Sequence, residues 1–204
     1  MSNSAEKRKE FEHEITQLSK CIKKELDDKR YLHTVSVAYT AGCMAMRYGC
    51  DPYKAYLAGL LHDNAKSIPH EKKTALCAKY GLKVSVLEHN NPDLLHASLG
   101  SVLARNKYDI HDEEIISAIK YHTTGRPDMT LLEKIIYIAD YIEIHRKPLA
   151  NMEKIRQLAF SDLDACMLLI LESTISYLAE RKASIDEITL ETYEFYKEKV
   201  SGKR

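Results

Sequence analysis

Apolar residues recur every three or four positions along most of the chain, and this spacing predicts amphipathic helices. Phe11, Ile15, Leu18, Ile22 and Leu26 follow the pattern with charged residues between them. A helix there would lie with one face against a core and the other in water. The alternating pattern typical of strands is absent from the sequence, so we expect an all-α protein.

Residues that favour helix ends divide the pattern into separate elements. Asp51-Pro52 predicts an N-cap and a first-turn proline for a helix from Tyr53 to about His62, which is apolar on nearly every side and so should be central. Thr130-x-x-Glu133, Ser161-x-x-Asp164 and Ser184-x-x-Glu187 resemble capping boxes. The remaining helices are predicted over about residues 11–26, 29–48, 71–80, 93–107 and 112–122. We therefore expect a bundle of about eight to ten helices.

Length and composition agree with one helical domain. The 204 residues contain only 7 Gly and 5 Pro, about half of average usage, whereas sandwiches and barrels need many turns. The sequence contains no repeat, low-complexity tract or Gly/Ser linker. We expect a single domain over residues 1–204, with the motif-bearing core at about 28–147 and the C-terminal helices packed on it.

The charge balance and the cysteine content indicate which kinds of partner and which cellular compartment to expect. Lys+Arg and Asp+Glu both number 30, so the balance does not favour a nucleic-acid partner. The five cysteines include no C-x-x-C pair, and the charged first residues lack the apolar run expected of a signal peptide. Apolar runs are far shorter than the ~20 residues that span a bilayer. We expect a cytoplasmic protein without membrane contact.

Several ionisable residues stand where burial is expected. His62-Asp63 closes the most apolar predicted helix, Asp140 lies among isoleucines, and His33 lies near valine and alanine. An unpaired buried charge costs several kcal/mol, and a bound metal cation would compensate for it. On the residues alone, a metal site and a set of hydrogen-bonded core residues explain this pattern equally well.

Longer motifs carry a resemblance to a known family. Arg30-x-x-His33-Thr34 and the segment 51–66, which contains Gly-Leu-Leu-His-Asp, resemble the metal-dependent HD-domain phosphohydrolases. Leu-His-Ala at 95–97, the segment 118–127 ending in His-Thr-Thr-Gly-Arg-Pro, and the segment 132–146 resemble the YqeK family within that group. The likeness is strong from about residue 30 to 146 and covers the C-terminal helices only in outline.

The resemblance implies a metal centre held by His33, His62, Asp63 and Asp140. His96 and His122 would be either ligands of a second metal or contacts to substrate phosphate. Imidazole together with carboxylate suits a transition metal. We expect one or two divalent or mixed-valence transition-metal ions. Iron is the metal that we expect, and manganese and zinc are alternatives.

The resemblance also implies an activity, since members of the YqeK family are symmetrical bis(5′-nucleosyl)-tetraphosphatases. We expect cleavage of diadenosine tetraphosphate to two ADP by attack of metal-bound hydroxide on an inner phosphorus, with Asp63, Lys66 and Arg126 in catalytic roles. The partner would be a dinucleoside polyphosphate or a purine nucleotide such as ADP or GDP. Expected substrate contacts are Arg30, Asn64, Lys66, His96, His122, Thr123, Arg126 and Arg146.

Other interpretations remain open at this point. The chain could be another HD-type nucleotide phosphatase or phosphodiesterase, although it lacks the Gly-Tyr-Pro segment of one phosphodiesterase class. It could also be a non-catalytic module that binds a purine nucleotide. Tyr31, Tyr121 and Tyr141 are candidates to stack on a purine, with core packing the better explanation for each. The first and last helices leave a homodimer open.

Overall fold

The computed structural model describes residues 2–147 and 149–202, without the side chains of residues 2–8 and 10. In this part of the chain the secondary structure is helical. The eleven α-helices found there are α1 (Ser2–Glu25), α2 (Asp28–Tyr48), α3 (Pro52–Leu61), α4 (His70–Lys79), α5 (Val86–Asn90), α6 (Leu95–Tyr108), α7 (Glu113–Tyr121), α8 (Leu131–Ile142), α9 (Met152–Leu158), α10 (Leu163–Glu180) and α11 (Glu187–Ser201). A short 3-10 helix, Pro92–Leu94, precedes α6. The predicted all-α class is confirmed, and the helix count is slightly above the expected eight to ten.

The two helices that account for the difference are short. α5 and α9 contain 5 and 7 residues, which is too few for a helical period to repeat. Ser85 and Glu88 form a complete capping box at the start of α5, and this was the local signal for that helix. α6 begins at Leu95, two residues after the predicted start at about Asp93, because a 3-10 turn comes first.

Three predicted capping boxes had different outcomes. Thr130 and Glu133 form both reciprocal hydrogen bonds at the start of α8, as predicted. At α10 the cap is Asp162 rather than Ser161, and at α11 it is Asp186 rather than Ser184. In both cases an extended aspartate accepts from the first free N–H groups of the helix, and the helix dipole favours its negative charge at that end.

Helix α3 lies in the middle of the bundle, as its apolar sequence predicts. It packs against α1, α2, α7 and α8, and Ala55 and all residues from 57 to 61 are buried. α2 packs on α8, while α7 packs on both α6 and α8. Four helices therefore surround α3 inside the protein. Among the described residues, no helix combines the length and apolar character that a membrane crossing requires.

Gly59 allows α3 to approach α2 closely. A Cβ atom at Gly59 would lie 2.7 Å from the Cα atom of Ala38, a distance at which the two backbones would have to separate. Because His62 follows Gly59 by less than one turn, this contact also sets the depth of the histidine in the bundle. The absence of a side chain at Gly59 therefore helps to position His62 inside the bundle.

We predict that Gly59→Ala lowers the free energy of unfolding by about 2 kcal/mol, because overpacking outweighs the better helix propensity of alanine. For a chain of this size the melting temperature should fall by about 4–8 °C. The matched control is Gly42→Ala in α2, where the added Cβ meets Pro52 O at 3.9 Å, an ordinary contact. Thermal unfolding followed by circular dichroism should show Gly42→Ala unchanged or slightly stabilised; equal stability of both variants would contradict the close approach.

Candidate metal centre

All six predicted metal ligands lie together at the centre of the bundle. They come from five places: His33 on α2, His62 and Asp63 at the end of α3, His96 on α6, His122 at the end of α7, and Asp140 on α8. Five of the six residues are buried, and Asp140 is partly buried. Their ligand atoms form three overlapping groups, each with all atoms within 4.8 Å of one another.

The first set consists of His33, His62, Asp63 and Asp140. His33 Nε2 lies 3.0 Å from Asp140 Oδ1 and 3.9 Å from Asp63 Oδ2. His62 Nε2 lies 3.6 Å from Asp63 Oδ2 and 3.7 Å from Asp140 Oδ1. Two imidazole nitrogens and two carboxylate oxygens therefore converge on one small space.

The second set shares Asp63 with the first. The other oxygen, Asp63 Oδ1, lies 3.4 Å from His96 Nε2 and 3.8 Å from His122 Nε2. The two Nε2 atoms of His96 and His122 are 3.2 Å apart. Because the two oxygens of one carboxylate face the two sets, Asp63 would contribute one oxygen to each set if cations were bound.

Backbone carbonyls fix the orientation of three of these imidazoles. Each ring contacts, through Nδ1, the carbonyl of the residue three positions earlier: His62 to Gly59 (2.7 Å), His122 to Ile119 (2.7 Å) and His96 to Asp93 (2.5 Å). His62 and His122 directly follow α3 and α7, where the last carbonyls of a helix have no partner within it. His96 lies in the first turn of α6 and contacts a carbonyl of the preceding 3-10 helix. Since a carbonyl only accepts, Nδ1 carries the proton and Nε2 presents a lone pair to the centre.

His33 is held by a carboxylate that the sequence analysis did not single out. Glu143 is buried, its Oε1 lies 3.1 Å from His33 Nδ1, and its Oε2 accepts the backbone N–H of His145 at 2.6 Å. A carboxylate behind a metal-binding imidazole orients the ring and increases its basicity. The available signal was spacing, because Glu143 follows Asp140 by three residues and so lies on the same side of the chain.

The donor set fits a bound transition-metal cation. Among the contacts that the structure describes, the buried Nε2 atom of His62 forms no hydrogen bond, although an unpaired buried nitrogen is costly. His96 and His122 bring two lone pairs face to face, and the Thr123 hydroxyl, 3.3 and 3.2 Å away, has only one proton to donate. Nitrogen and oxygen donors in this mixture are typical of iron, manganese and zinc sites.

For His62, His96 and Asp63 the electrostatics of the site favour the protonation states that bind metal; His33 is the exception. Burial lowers the pKa of His62 to about 4 and that of His96 to about 3, so both rings are neutral at pH 7. For Asp63, burial alone would raise the pKa, but the surrounding imidazoles outweigh burial and hold it well below its usual range. In His33 burial is outweighed by the carboxylates of Asp140 and Glu143, and the pKa is raised.

Two arginines bond directly to the central carboxylates. Arg30 Nη1 lies 2.8 Å from Asp63 Oδ2. Arg146 donates to Asp140 twice, from Nη2 to Oδ1 at 2.6 Å and from Nε to the backbone oxygen at 2.8 Å. Both predicted phosphate contacts are thus at the edge of the centre, and their role towards substrate stays a prediction.

Lysines border the second set. Lys66 Nζ lies 3.4 Å from His96 Nδ1, and burial lowers the pKa of Lys66, against the opposing effect of the Asp63 charge. Lys73 is fully buried, with Nζ 3.2 Å from Asp93 Oδ1. The sequence analysis missed Lys73, although it shares the core-facing side of α4 with Cys77.

Arg126 and Asn64 make contacts between helices instead. Arg126 forms a two-pronged ion pair with the buried Glu133, with Nε–Oε1 at 3.1 Å and Nη2–Oε2 at 2.9 Å. Asn64 is buried and donates to Gly100 O on α6 at 2.9 Å. These contacts support a structural role for both residues, and their predicted contacts to substrate remain predictions.

Comparison with known proteins agrees with the geometry. The HD domain family matches residues 30–144, which include all six predicted ligands. The curated "Bis(5′-nucleosyl)-tetraphosphatase, symmetrical" of Bacillus subtilis (strain 168) is 40% identical over 85% of this chain and 92% of its own length. The protein of the same name from Staphylococcus aureus (strain NCTC 8325 / PS 47) is 35% identical over 89% of this chain and 94% of its own length.

A solved structure has the same fold. The crystal structure of a predicted HD superfamily hydrolase involved in NAD metabolism, from Clostridium acetobutylicum, superposes with a TM-score of 0.87 at 36% identity. The superposition covers 91% of this chain and 97% of the other. Family match, relatives over nearly their full length and a shared fold agree with one another. The chain therefore belongs to the HD domain family of metal-dependent hydrolases, in its YqeK branch.

Proposed function

We propose that the protein hydrolyses diadenosine tetraphosphate symmetrically to two molecules of ADP. The observation that carries this proposal is the convergence of four histidines and two aspartates in one buried cluster, with the two Asp63 oxygens facing two ligand sets. The names of the Bacillus subtilis and Staphylococcus aureus relatives supply the substrate class. Their similarity extends over most of the chain.

His33, His62, Asp63 and Asp140 would hold one cation, and Asp63, His96 and His122 a second. We propose iron, with manganese or zinc as alternatives, and one or two ions. When bound, such a cation lowers the pKa of a coordinated water towards ~7 and withdraws charge from phosphoryl oxygens. If only one ion is present, His96 and His122 remain as contacts for phosphate.

The basic residues at the edge of the cluster would position the polyphosphate. Arg146 lies beside Asp140 and Lys66 beside His96, so cationic groups border both ligand sets. A chain of four phosphates that spans the cluster would contact a basic group on either side of its inner phosphorus atoms. In phosphoryl transfer most of the catalysis comes from such positioning and charge neutralisation.

The departing ADP needs its new negative charge compensated. Arg30 and Arg146 each pair with a central carboxylate, and each guanidinium carries five N–H donors, so further donors remain for phosphate oxygens. The Thr123 hydroxyl, within 3.3 Å of both His96 and His122, supplies another donor. These groups are fixed before substrate binds, which reduces the reorganisation that the reaction requires.

The purified protein, prepared without chelator, should convert diadenosine tetraphosphate to ADP as the sole nucleotide product, measured by ion-exchange chromatography. AMP together with ATP would indicate asymmetric cleavage and overturn the proposed regiochemistry. Tight binding of ADP without turnover in iron, manganese or zinc would favour a non-catalytic nucleotide-binding module. Turnover of mononucleotides alone would favour another type of HD phosphatase.

We also propose a cytoplasmic location and no nucleic-acid or membrane partner. The equal numbers of acidic and basic residues, 30 of each, support the absence of a nucleic-acid partner. A homodimer stays a proposal that rests on the two terminal helices α1 and α11. Light scattering of the purified chain would measure its mass directly.

A further inference from the structure

We propose that a cavity between α4 and α6 binds a small organic anion other than the substrate. The cavity has a volume of about 610 Å³, which lies within the usual range of small-molecule pockets. Its walls come from the end of α1, from residues 64–69, from α4 and from α6. None of the six predicted metal ligands lines it, and neither do Lys66 and Arg146. The phosphates of the substrate are therefore expected elsewhere, and the cavity is a separate site.

Asn64 is the buried polar residue of the cavity wall. The residue is 2% exposed, and its Nδ2 donates to Gly100 O at 2.9 Å. Its Oδ1, by contrast, forms no hydrogen bond among the contacts that the structure describes. A buried oxygen without a donor costs free energy. A ligand that brings an N–H or O–H group to this inner end of the cavity would supply the donor.

Positive charge lies at the exposed side of the cavity. Among the contacts that the structure describes, the exposed ammonium group of Lys72 forms no ion pair and no hydrogen bond. Glu25, the acidic residue in the wall, is already paired. Its Oε1 lies 2.5 Å from Lys107 Nζ, and its Oε2 accepts from the Tyr108 hydroxyl at 2.7 Å. Lys72 therefore leaves an uncompensated positive charge, which a carboxylate or phosphate group of a ligand would neutralise.

Much of the remaining wall is apolar. Ile68, Leu76 and Leu103 offer aliphatic surface, and Tyr80 offers an aromatic ring. Leu103 is buried and the other three are partly buried, so a ligand between them would lose contact with water over its apolar surface. The chemistry of the whole wall selects one class of ligand. This is an anion with an apolar body and with an N–H or O–H group at the end remote from its charge.

A second surface groove lacks this combination. It lies between α1, α2 and α3, has a volume of about 330 Å³, and is lined mainly by apolar and aromatic residues, including Phe11, Tyr39 and Met46. No acidic or basic side chain lines it, so nothing in that groove would select an anion. The charge argument therefore applies to the cavity between α4 and α6.

Three related compounds test the proposal on the wild-type protein. The probe is para-hydroxyphenylacetate, which has the anion, the apolar ring and the distant hydroxyl; phenylacetate lacks the hydroxyl, and tyrosol lacks the charge. In isothermal titration calorimetry the probe should bind at one site, at least about threefold more tightly than either of the other two compounds. No binding of the probe, or equal affinities for all three compounds, would overturn the proposal.

Lys72→Ala should weaken binding of the probe by at least about threefold, because it removes the unpaired charge from an exposed position. The matched control is Lys83→Ala, which changes an exposed lysine outside the cavity and should bind the probe like the wild type. Equal affinity of the Lys72→Ala variant and the wild type would contradict the assigned position of the anion.

Hydrogen–deuterium exchange of the wild type locates the probe without any variant. At saturation, exchange should slow in peptides that cover residues 64–80 and 103–107, and protection confined to other segments would overturn the proposal. Excess ADP should not displace the probe, since displacement would assign the probe to the substrate site. None of these measurements requires turnover, so a failure of the proposed hydrolysis and a failure of this anion site would be distinguishable.

Discussion

Asp63→Asn should remove the bound metal and reduce hydrolysis of diadenosine tetraphosphate by at least ~10³-fold, while the helical content stays the same. The expected loss is large because Asp63 offers one oxygen to each ligand set, and metal ions supply several kcal/mol of charge stabilisation in such reactions. An amide keeps the volume of the carboxylate but not its charge. Asp63→Ala should give the same loss of metal and activity.

The measurements are metal content by mass spectrometry, turnover, and far-ultraviolet circular dichroism. Asp109→Asn is a suitable control because Asp109 ends α6 at the surface and pairs only with the exposed His111 among the contacts of its side chain that the structure describes. It should keep its full metal content and activity. Retention of both by Asp63→Asn would exclude the bridging role that we assign to this carboxylate.

Removal of the metal should abolish turnover and also lower the melting temperature by about 10 °C. Ligands that bind only the folded state stabilise it by ~4 kcal/mol at a thousandfold excess over Kd. For a chain of about 200 residues, each kcal/mol corresponds to about 2–4 °C. The physical reason is local: metal would satisfy the buried Nε2 atom of His62, which forms no hydrogen bond among the residues that the structure describes.

Differential scanning calorimetry of chelator-treated protein, before and after metal is returned, measures this effect. His62→Ala serves as the comparison, because it removes a ligand from the fully buried position at the end of α3. Its melting temperature should respond much less to added metal than that of the wild type. Identical melting of the treated and reloaded wild-type protein would contradict a metal that is part of the folded structure.

The long helices could be predicted from the sequence because their apolar period repeats several times. α3 was predicted as the central helix because it is apolar on nearly every side, and Asp51 caps it as its residue type suggested. α5 and α9 could not be found in this way, because they contain 5 and 7 residues. Neither length completes two turns of an α-helix. The single-domain assignment over residues 1–204 stays a prediction.

The metal ligands were predicted from the resemblance to a known family and not from the apolar pattern of the sequence. Periodicity placed His33, His62 and Asp140 on core-facing positions, but it could not tell whether helices distant in sequence bring them to one point. Glu143 is an example. Its Oε1 atom lies 3.1 Å from Nδ1 of His33, a residue 110 positions away, and local sequence spacing gives no information about a contact over that separation.

Positive charges near the motifs were the least predictable part of the site. Arg126 and Lys66 look alike in sequence, since each follows a histidine motif by a few residues. In the structure Arg126 pairs with Glu133, whereas Lys66 lies beside His96. Glu133 lies only seven positions after Arg126. Whether the turn between them brings the two side chains together depends on the folded conformation of that turn.

Diffraction at the absorption edge of the bound metal tests the central claim most directly. Crystals of protein purified without chelator should show an anomalous peak among His33, His62, Asp63 and Asp140, at ~2.0–2.2 Å from their ligand atoms. A second peak beside Asp63, His96 and His122 would establish two ions. Crystals of active protein with no anomalous peak within coordinating reach of these side chains would contradict the account.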